Sequence, residues 1–240
     1  MLSIIIPTLN EEEGIAKVLC SIPRDVWDKS EIIVSDVSDD STPLIAERLG
    51  AKVIREEKKG KGWQIRQAVK KSKGDILVFL DGDGTDPGNY IPKLLEKLET
   101  ADLVLGCRNL GDSALDDPNM REIFQVYRLF IPPVFRLIGL NVSDPLAGFR
   151  VIRRKDWEKL DLQSSSFEIE TEMNIKALKA GLKIAAIPIP NLKRCGGFEK
   201  SKFIKNPKAW LKMSELILKY FVDDKLKIKI RDLEKKVKVG

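Results

Sequence analysis

The residues able to do chemistry in this chain lie in short runs of carboxylates and glycines that close apolar segments. The strongest is ILVFLDGDGTDP, residues 76–87, where large apolar residues pass straight into Asp81-Gly82-Asp83. Two carboxylates two apart, with a glycine between them to bend the backbone, can both turn into one crevice. There they offer oxygen ligands to Mg2+ or Mn2+, which in turn hold a diphosphate. Asp86 adds charge nearby. The same stretch also reads as a plain Asp/Gly turn. It is not an EF-hand loop, because the glutamate that would end such a loop falls among Tyr90 to Lys93, where there is none. A second cluster, EIIVSDVSDDST, sets Asp36, Asp39 and Asp40 after another apolar run. A carboxylate there accepts from a base or ribose, or, for Asp39 and Asp40, caps a helix. A third, Lys59-Gly60-Lys61-Gly62, opens a helical segment where backbone N–H groups and lysine charge can meet an anion, without the spacing or the Ser/Thr of a P-loop.

The elements that must position these groups alternate between two periods. Strands are expected at Leu2 to Ile6, Glu31 to Ser35, Lys52 to Ile54, Ile76 to Leu80 and Leu103 to Gly106, with helices at Pro43 to Leu49, Gly62 to Lys71 and from about Pro87. Ser41-Thr42-Pro43 reads as a cap with a first-turn proline, and Gly50 as a left-handed stop. Runs such as IIVS and ILVFL are apolar on both faces. They predict buried parallel strands between helices, an open α/β sheet that takes its ligands beyond the carboxyl ends of the strands. An aromatic and apolar helix follows from about Arg121 to Ile138, then strands at Phe149 to Ile152 and Lys183 to Ile189 around a helix at Glu168 to Lys179. Beyond Pro207 a helix carries Trp210, Met213, Ile217 and Tyr220 on one face, which predicts packing against the core.

Composition excludes several mechanisms. With no histidine in 240 residues there is no Ser-His-Asp triad, Cys-His dyad or His-ligated zinc, so proton transfer and metal binding fall to carboxylates. Cys20, Cys107 and Cys195 form no CxxC pair and are expected as small apolar core residues in a reducing compartment. The opening MLSIIIPTLNEEEG reads as a first strand and not a signal peptide. No apolar stretch reaches the roughly 18 residues of a membrane span. The net charge of +6 is uneven: from Lys193 onward there are fifteen Lys/Arg against six Asp/Glu, so the basic excess lies in the tail and the rest is slightly acidic.

In order, SIIIPTLNEEEGI, EIIVSDVSDDST, KGKGWQIRQAV and DILVFLDGDGTDP resemble the inverting GT-A glycosyltransferases of family 2. The later DLVLGCR, SDPLAGFRVIRR, FEIETEMNIKALKAG and RCGGFEKSK look like the dolichyl-phosphate (polyprenyl-phosphate) sugar synthases of that family, here without their C-terminal hydrophobic spans. The resemblance covers about residues 2 to 205. It implies a GT-A (Rossmann-like) catalytic domain over 1–205, an open, mostly parallel sheet flanked by helices, with 206–240 as a helical basic extension. Pro7, Thr8 and Glu11 would then border the nucleotide, together with Lys61, Gly62 and Gly82. Asp36 would contact the base, Asp81 the ribose or metal, and Asp83 would be the main metal ligand. Arg108, Arg194 and Lys202 would meet the acceptor or sugar phosphate. Asp144 and Arg150 would line the sugar and acceptor pocket, with Glu170 and Glu172 behind them. Val37 replaces the family's usual second Asp, and Thr85 stands where a dolichyl-phosphate mannose synthase tends to carry a Gln metal ligand. The spacing from Arg194 to Lys202 is two residues longer than the family's, so Lys200 is matched to its lysine as well as Lys202.

The implied reaction moves a hexose from a UDP- or GDP-sugar to a polyprenyl phosphate. A phosphate acceptor is already ionised and needs positioning more than a base. A hydroxyl acceptor would need Asp144, Glu170 or Glu172 as base. The aromatic helix and basic tail are expected to hold the protein peripherally at the cytoplasmic membrane face. Three other readings follow from the same residues: a glycosyltransferase with a soluble acceptor, a nucleotidyltransferase, and a non-catalytic nucleotide-sugar binding module. The nucleotidyltransferase is disfavoured because PTLNEEEG stands where a Gly-rich, Arg-containing loop is expected. No nucleic-acid partner is implied.

Overall fold

The computed structural model describes residues 1–109, 118–197, 202 and 206–237, with side chains for all of these except 118–124 and 223–237. The strands are β1 Leu2–Thr8, β2 Ser30–Asp36, β3 Lys52–Arg55, β4 Ile76–Phe79, β5 Leu103–Arg108, β6 Arg150–Arg153 and β7 Ile184–Ile189. The helices are α1 Ile15–Ser21, α2 Arg24–Trp27, α3 Thr42–Arg48, α4 Lys61–Lys71, α5 Ile91–Leu98, α6 Pro118–Leu137, α7 Arg154–Leu160, α8 Ile169–Lys179 and α9 Pro207–Val237. The strands form one seven-stranded sheet in the order β3-β2-β1-β4-β6-β5-β7.

Alternation along the strands builds a core on each face of this sheet. Ile5, Ile33, Leu77, Phe79, Leu103, Leu105 and Ile152 meet α4, α7, α8 and the buried face of α9 on one side. Their neighbours Ile4, Ile6, Ile32, Val34, Val78, Val104 and Val151 meet α1, α2, α3 and α5 on the other. Strands buried on both faces read as unbroken apolar runs, which is why IIVS and ILVFL lack polar alternation. On α9, Met213 and Ile217 are buried, with Trp210 and Tyr220 packed partly against the same core, as their spacing predicts.

β6 departs from the parallel rule. It runs antiparallel to both β4 and β5. β5 delivers the chain to the carboxyl edge of the sheet at Arg108, and β6 starts from that same edge at Arg150, so it must run back. The excursion from 109 to 149, including α6 and Asp144, is thereby kept at the end of the sheet where the acidic strand ends lie.

Local signals shift slightly. Asp40 and not Ser41 caps α3, accepting from the Thr42 N–H at 2.9 Å and from its hydroxyl. Gly50 (φ +90°) and Gly181 (φ +69°) close α3 and α8 in the left-handed conformation expected of them. A 3-10 turn over Gly88–Tyr90 precedes α5. Of the cysteines only Cys107 is buried. Cys195 is half-buried and Cys20 exposed, because α1 turns Cys20 away from the face that carries Val18 and Leu19.

Candidate functional site

A cleft of about 880 Å³ opens along the carboxyl edge. It is lined by Pro7, Thr8 and Glu11 after β1, Lys61 at the start of α4, Asp81, Gly82 and Asp83 after β4, and Arg108 at the end of β5. Glu170 of α8, and Arg194 and Lys202 beyond β7, add to its charged lining, as does Lys59. The polar residues singled out by the strand ends thus converge from segments far apart in sequence.

Glycines make the convergence possible. A Cβ on Gly82 would lie 2.8 Å from Thr8 Cγ2, so only glycine lets the β4 end approach β1. A Cβ on Gly62 would lie 2.5 Å from the Ser164 carbonyl oxygen, and the Gly62 and Trp63 N–H groups donate to the carbonyls of Ser166 and Ser165. Those N–H groups are therefore spent on a loop and do not await an anion as the helix start suggested. The charge of this segment reaches the cleft through Lys59 at its exposed rim and, deeper, through Lys61. Its Nζ lies 2.6 Å from Asp81 Oδ1 and 2.6 Å from Glu170 Oε1. Burial alone would lower the Lys61 pKa, but these two carboxylates raise it. Burial likewise pushes Asp81 up, yet the Lys61 charge, with Arg108 and Arg194, holds it below the usual carboxylate range.

Asp83 is gripped from two sides. Its Oδ1 accepts from the Thr85 N–H (3.0 Å) and hydroxyl (2.6 Å), and its Oδ2 pairs with Arg194. Arg194 also reaches Glu11 at 2.7 Å, and Lys202 reaches Glu11 at 2.6 Å. Burial raises the Glu11 pKa against the pull of Arg194 and Lys202. Asp86, 5% exposed, accepts from the Asp81 N–H at 2.7 Å, and burial followed by the Asp81 charge raises its pKa well above normal.

A second polar group of the cleft is built on Arg108. Arg108 meets Asp144 through two nitrogens, at 2.6 and 3.2 Å, and the Tyr127 hydroxyl donates to Asp144 at 2.6 Å. Asp144 is fully buried and itself no part of the lining. The apolar part of the cleft lining includes Val126, Phe130 and Ile131 of α6, which flank Tyr127, with Leu146 and Trp210 of α9.

Three further expected contacts fall elsewhere. Asp36 is fully buried and no part of the cleft lining, its oxygens filled by the Thr8 and Ser38 hydroxyls, the Ser38 N–H and Arg55, so it braces the β1–β2 edge. Arg150, 1% exposed and no part of the cleft lining, gives its N–H groups to the carbonyls of Ala147, Pro145 and Glu170 and to Asn174. Glu172 accepts from the Gln163 and Ser164 N–H groups and pairs with Lys176, outside the cleft. Lys200 lies outside the described residues. Sequence reasoning passed over Tyr127, Gly148 and Asn191. The first sits in a helix read only as aromatic and apolar, and the other two look like ordinary turn residues.

The donor set fits a hard divalent cation of the Mg2+ or Mn2+ kind, because Asp81 and Asp83 supply carboxylate oxygen and such ions take one or two carboxylates beside substrate phosphates. Among the described residues no three His, Cys, Asp or Glu side chains form a cage that would hold a metal without substrate.

Paired acids at the switch edge of a mostly parallel sheet, with one reversed strand between β4 and β5, define the GT-A class of nucleotide-sugar-dependent transferases. Residues 3–161 match the glycosyl transferase family 2 model, and the chain belongs to that family. It is 32% identical over 196 residues to a dolichyl-phosphate hexose transferase of Haloferax volcanii, covering 81% of this chain and 84% of that protein. It is 31% identical over 224 residues to the low-salt glycan biosynthesis hexosyltransferase Agl6 of the same organism, covering 87% of this chain and about half (51%) of that protein's length. Among solved structures, glucosyl-3-phosphoglycerate synthase from Mycobacterium tuberculosis, in complex with Mn2+, UDP-glucose and phosphoglyceric acid, superposes with a TM-score of 0.70. The match has 22% identity over 90% of this chain and 79% of that one, a likeness of fold. The chain is therefore a glycosyltransferase. No helix among the described residues is long and apolar enough to cross a membrane.

Proposed function

We propose that the chain transfers a hexose from a UDP- or GDP-sugar to a polyprenyl phosphate, with Mg2+ or Mn2+ held by Asp83 and Asp81. The observation that carries this reading is the charge pairing in the cleft. Each of its four described lining carboxylates, Glu11, Asp81, Asp83 and Glu170, is engaged by Lys61, Arg194 or Lys202. No free general base is left over, which suits an acceptor that arrives ionised.

Arg194 and Lys202, held beside Glu11 and Asp83, place positive charge where it can stabilise the charge that grows on the leaving diphosphate. A bound divalent ion would supply Lewis-acid neutralisation of the same charge. Arg108, aimed by Asp144 and Tyr127, positions the acceptor phosphate through charge-assisted hydrogen bonds. The apolar part of the cleft lining suits the first isoprene units of a lipid tail. Exposed Leu129, Phe130 and Leu137 on α6 and Leu211, Leu218 and Val222 on α9, near exposed Lys208, Lys212 and Lys219, support peripheral contact with an anionic membrane. The relative named for dolichyl phosphate supports the lipid acceptor. The neighbour named for phosphoglycerate favours a second reading, a soluble phosphorylated acceptor, which the same Arg108 would serve.

The test is a product assay with a panel of UDP- and GDP-hexoses and Mg2+ or Mn2+, offering polyprenyl phosphate and phosphoglycerate side by side, with Asp83→Ala as control. Lipid-linked product that disappears in Asp83→Ala supports the reading, and flotation with anionic liposomes should carry the protein upward. Product on phosphoglycerate alone, or metal-dependent activity retained in Asp83→Ala, overturns it.

A further inference from the structure

We propose that Asn191 is a donor-sugar-positioning residue, its side-chain amide donating to a hydroxyl of the transferred hexose. The assignment rests on the donor reading above. Asn191 lines the cleft and is only 7% exposed, yet its Nδ2 finds no hydrogen-bond partner among the described residues. A buried donor without an acceptor is destabilising and uncommon, so a site that keeps one is built to be completed by a ligand oxygen.

Topology says which oxygen. β5 and β7 pair in parallel with Arg108 opposite Ile189, and the Asn109 N–H donates to the Ile189 carbonyl at 2.9 Å. Asn191 therefore leaves the sheet beside Arg108, the cation assigned to the acceptor phosphate. Three residues on, Arg194 has crossed to Asp83 and Glu11 at the diphosphate end, where its Nε is a second buried donor without a partner. The segment that carries Asn191 thus runs from beside Arg108 to Arg194, and the hexose must lie between leaving group and acceptor during transfer. Chemistry agrees with position. Phosphates here are matched by lysine and arginine, whereas an uncharged amide in a dry wall suits a neutral hydroxyl.

The experiment compares wild type with Asn191→Ala by titration calorimetry in Mn2+, using UDP-glucose and GDP-mannose against UDP and GDP, together with thermal unfolding and acceptor KM. Losing one hydrogen bond should weaken binding of the nucleotide hexose about 3- to 10-fold while leaving the nucleoside diphosphate unchanged. The unfolding temperature should stay level or rise, because the substitution removes an unsatisfied group and no existing bond. Equal weakening of UDP or GDP, a rise confined to acceptor KM, or a lower unfolding temperature with donor affinity intact each overturns the assignment. If wild type gains nothing from the hexose on either nucleotide, the donor reading itself fails and the assignment falls with it.

Discussion

Asp144→Asn tests the polar group built on Arg108, because it removes one charge while keeping the shape. Asp144 is fully buried, the Arg108 side chain is 23% exposed, and the two are joined at 2.6 and 3.2 Å, with the Tyr127 hydroxyl adding a bond of 2.6 Å. Opposite charges centred about 4 Å apart attract by about 4 kcal/mol at an effective dielectric of about 20. The amide retains one oxygen and recovers about 1 kcal/mol through a neutral hydrogen bond. The expected loss of stability is therefore about 3 kcal/mol, the low end of what breaking a buried pair costs. Urea unfolding measures it, and a double-mutant cycle with Arg108→Met isolates the pair, since removing both charges should cost less than the two single losses summed. The same change frees the Arg108 guanidinium to leave its aim, so acceptor KM should rise while donor KM holds. A loss under about 1 kcal/mol, or strict additivity in the cycle, refutes Asp144 as the main counter-charge of Arg108. A rise confined to donor KM refutes the placement of Arg108 at the acceptor end.

Gly148→Ala should disable the site at a distance in sequence. The added Cβ would collide with the Asp81 carboxylate, a side chain that can swing aside, so kcat/KM should fall at least about 10-fold while the unfolding temperature moves little. Steady-state kinetics beside thermal unfolding check it. Glu31 governs a pH response away from the cleft. Burial pushes its carboxyl up, but hydrogen bonds from the Lys73 N–H, the Ser3 hydroxyl and the Gly74 N–H outweigh burial and leave it below its ordinary value of 4.5. A depressed folded-state pKa means that the contribution is complete above the unfolded value and is lost as pH falls through the folded one. Wild type should thus exceed Glu31→Gln in unfolding temperature near neutral pH, and the gap should close as the pH is taken below 4.5 and through the depressed folded-state value. A gap independent of pH would contradict the assigned cause.

What could be read from the sequence and what could not divides along a physical line. Ile4 and Ile5 point to opposite faces, and both faces are buried, so unbroken apolar runs announced the strands and their acidic ends announced the crevice. Direction is not encoded in such a run, and β6 reads the same forwards or backwards; only the return of the chain to the carboxyl edge sets it antiparallel. Charge carries a similar ambiguity. Arg108 and Arg150 both follow apolar runs and both look like phosphate ligands, but Arg150 is fully engaged by carbonyls and Asn174, while Arg108 is turned to the cleft by one carboxylate. The difference lies in partners supplied by segments distant in sequence, which no local pattern reports. Lys59-Gly60-Lys61-Gly62 shows the same limit from the opposite side: its glycines look like an anion nest, yet they exist to admit the backbone of Ser164 to Ser166, and the anion chemistry passes to the lysine between them. A glycine or an arginine in a sequence thus marks a place where something approaches closely, and tertiary structure decides whether that neighbour is the ligand or the protein itself.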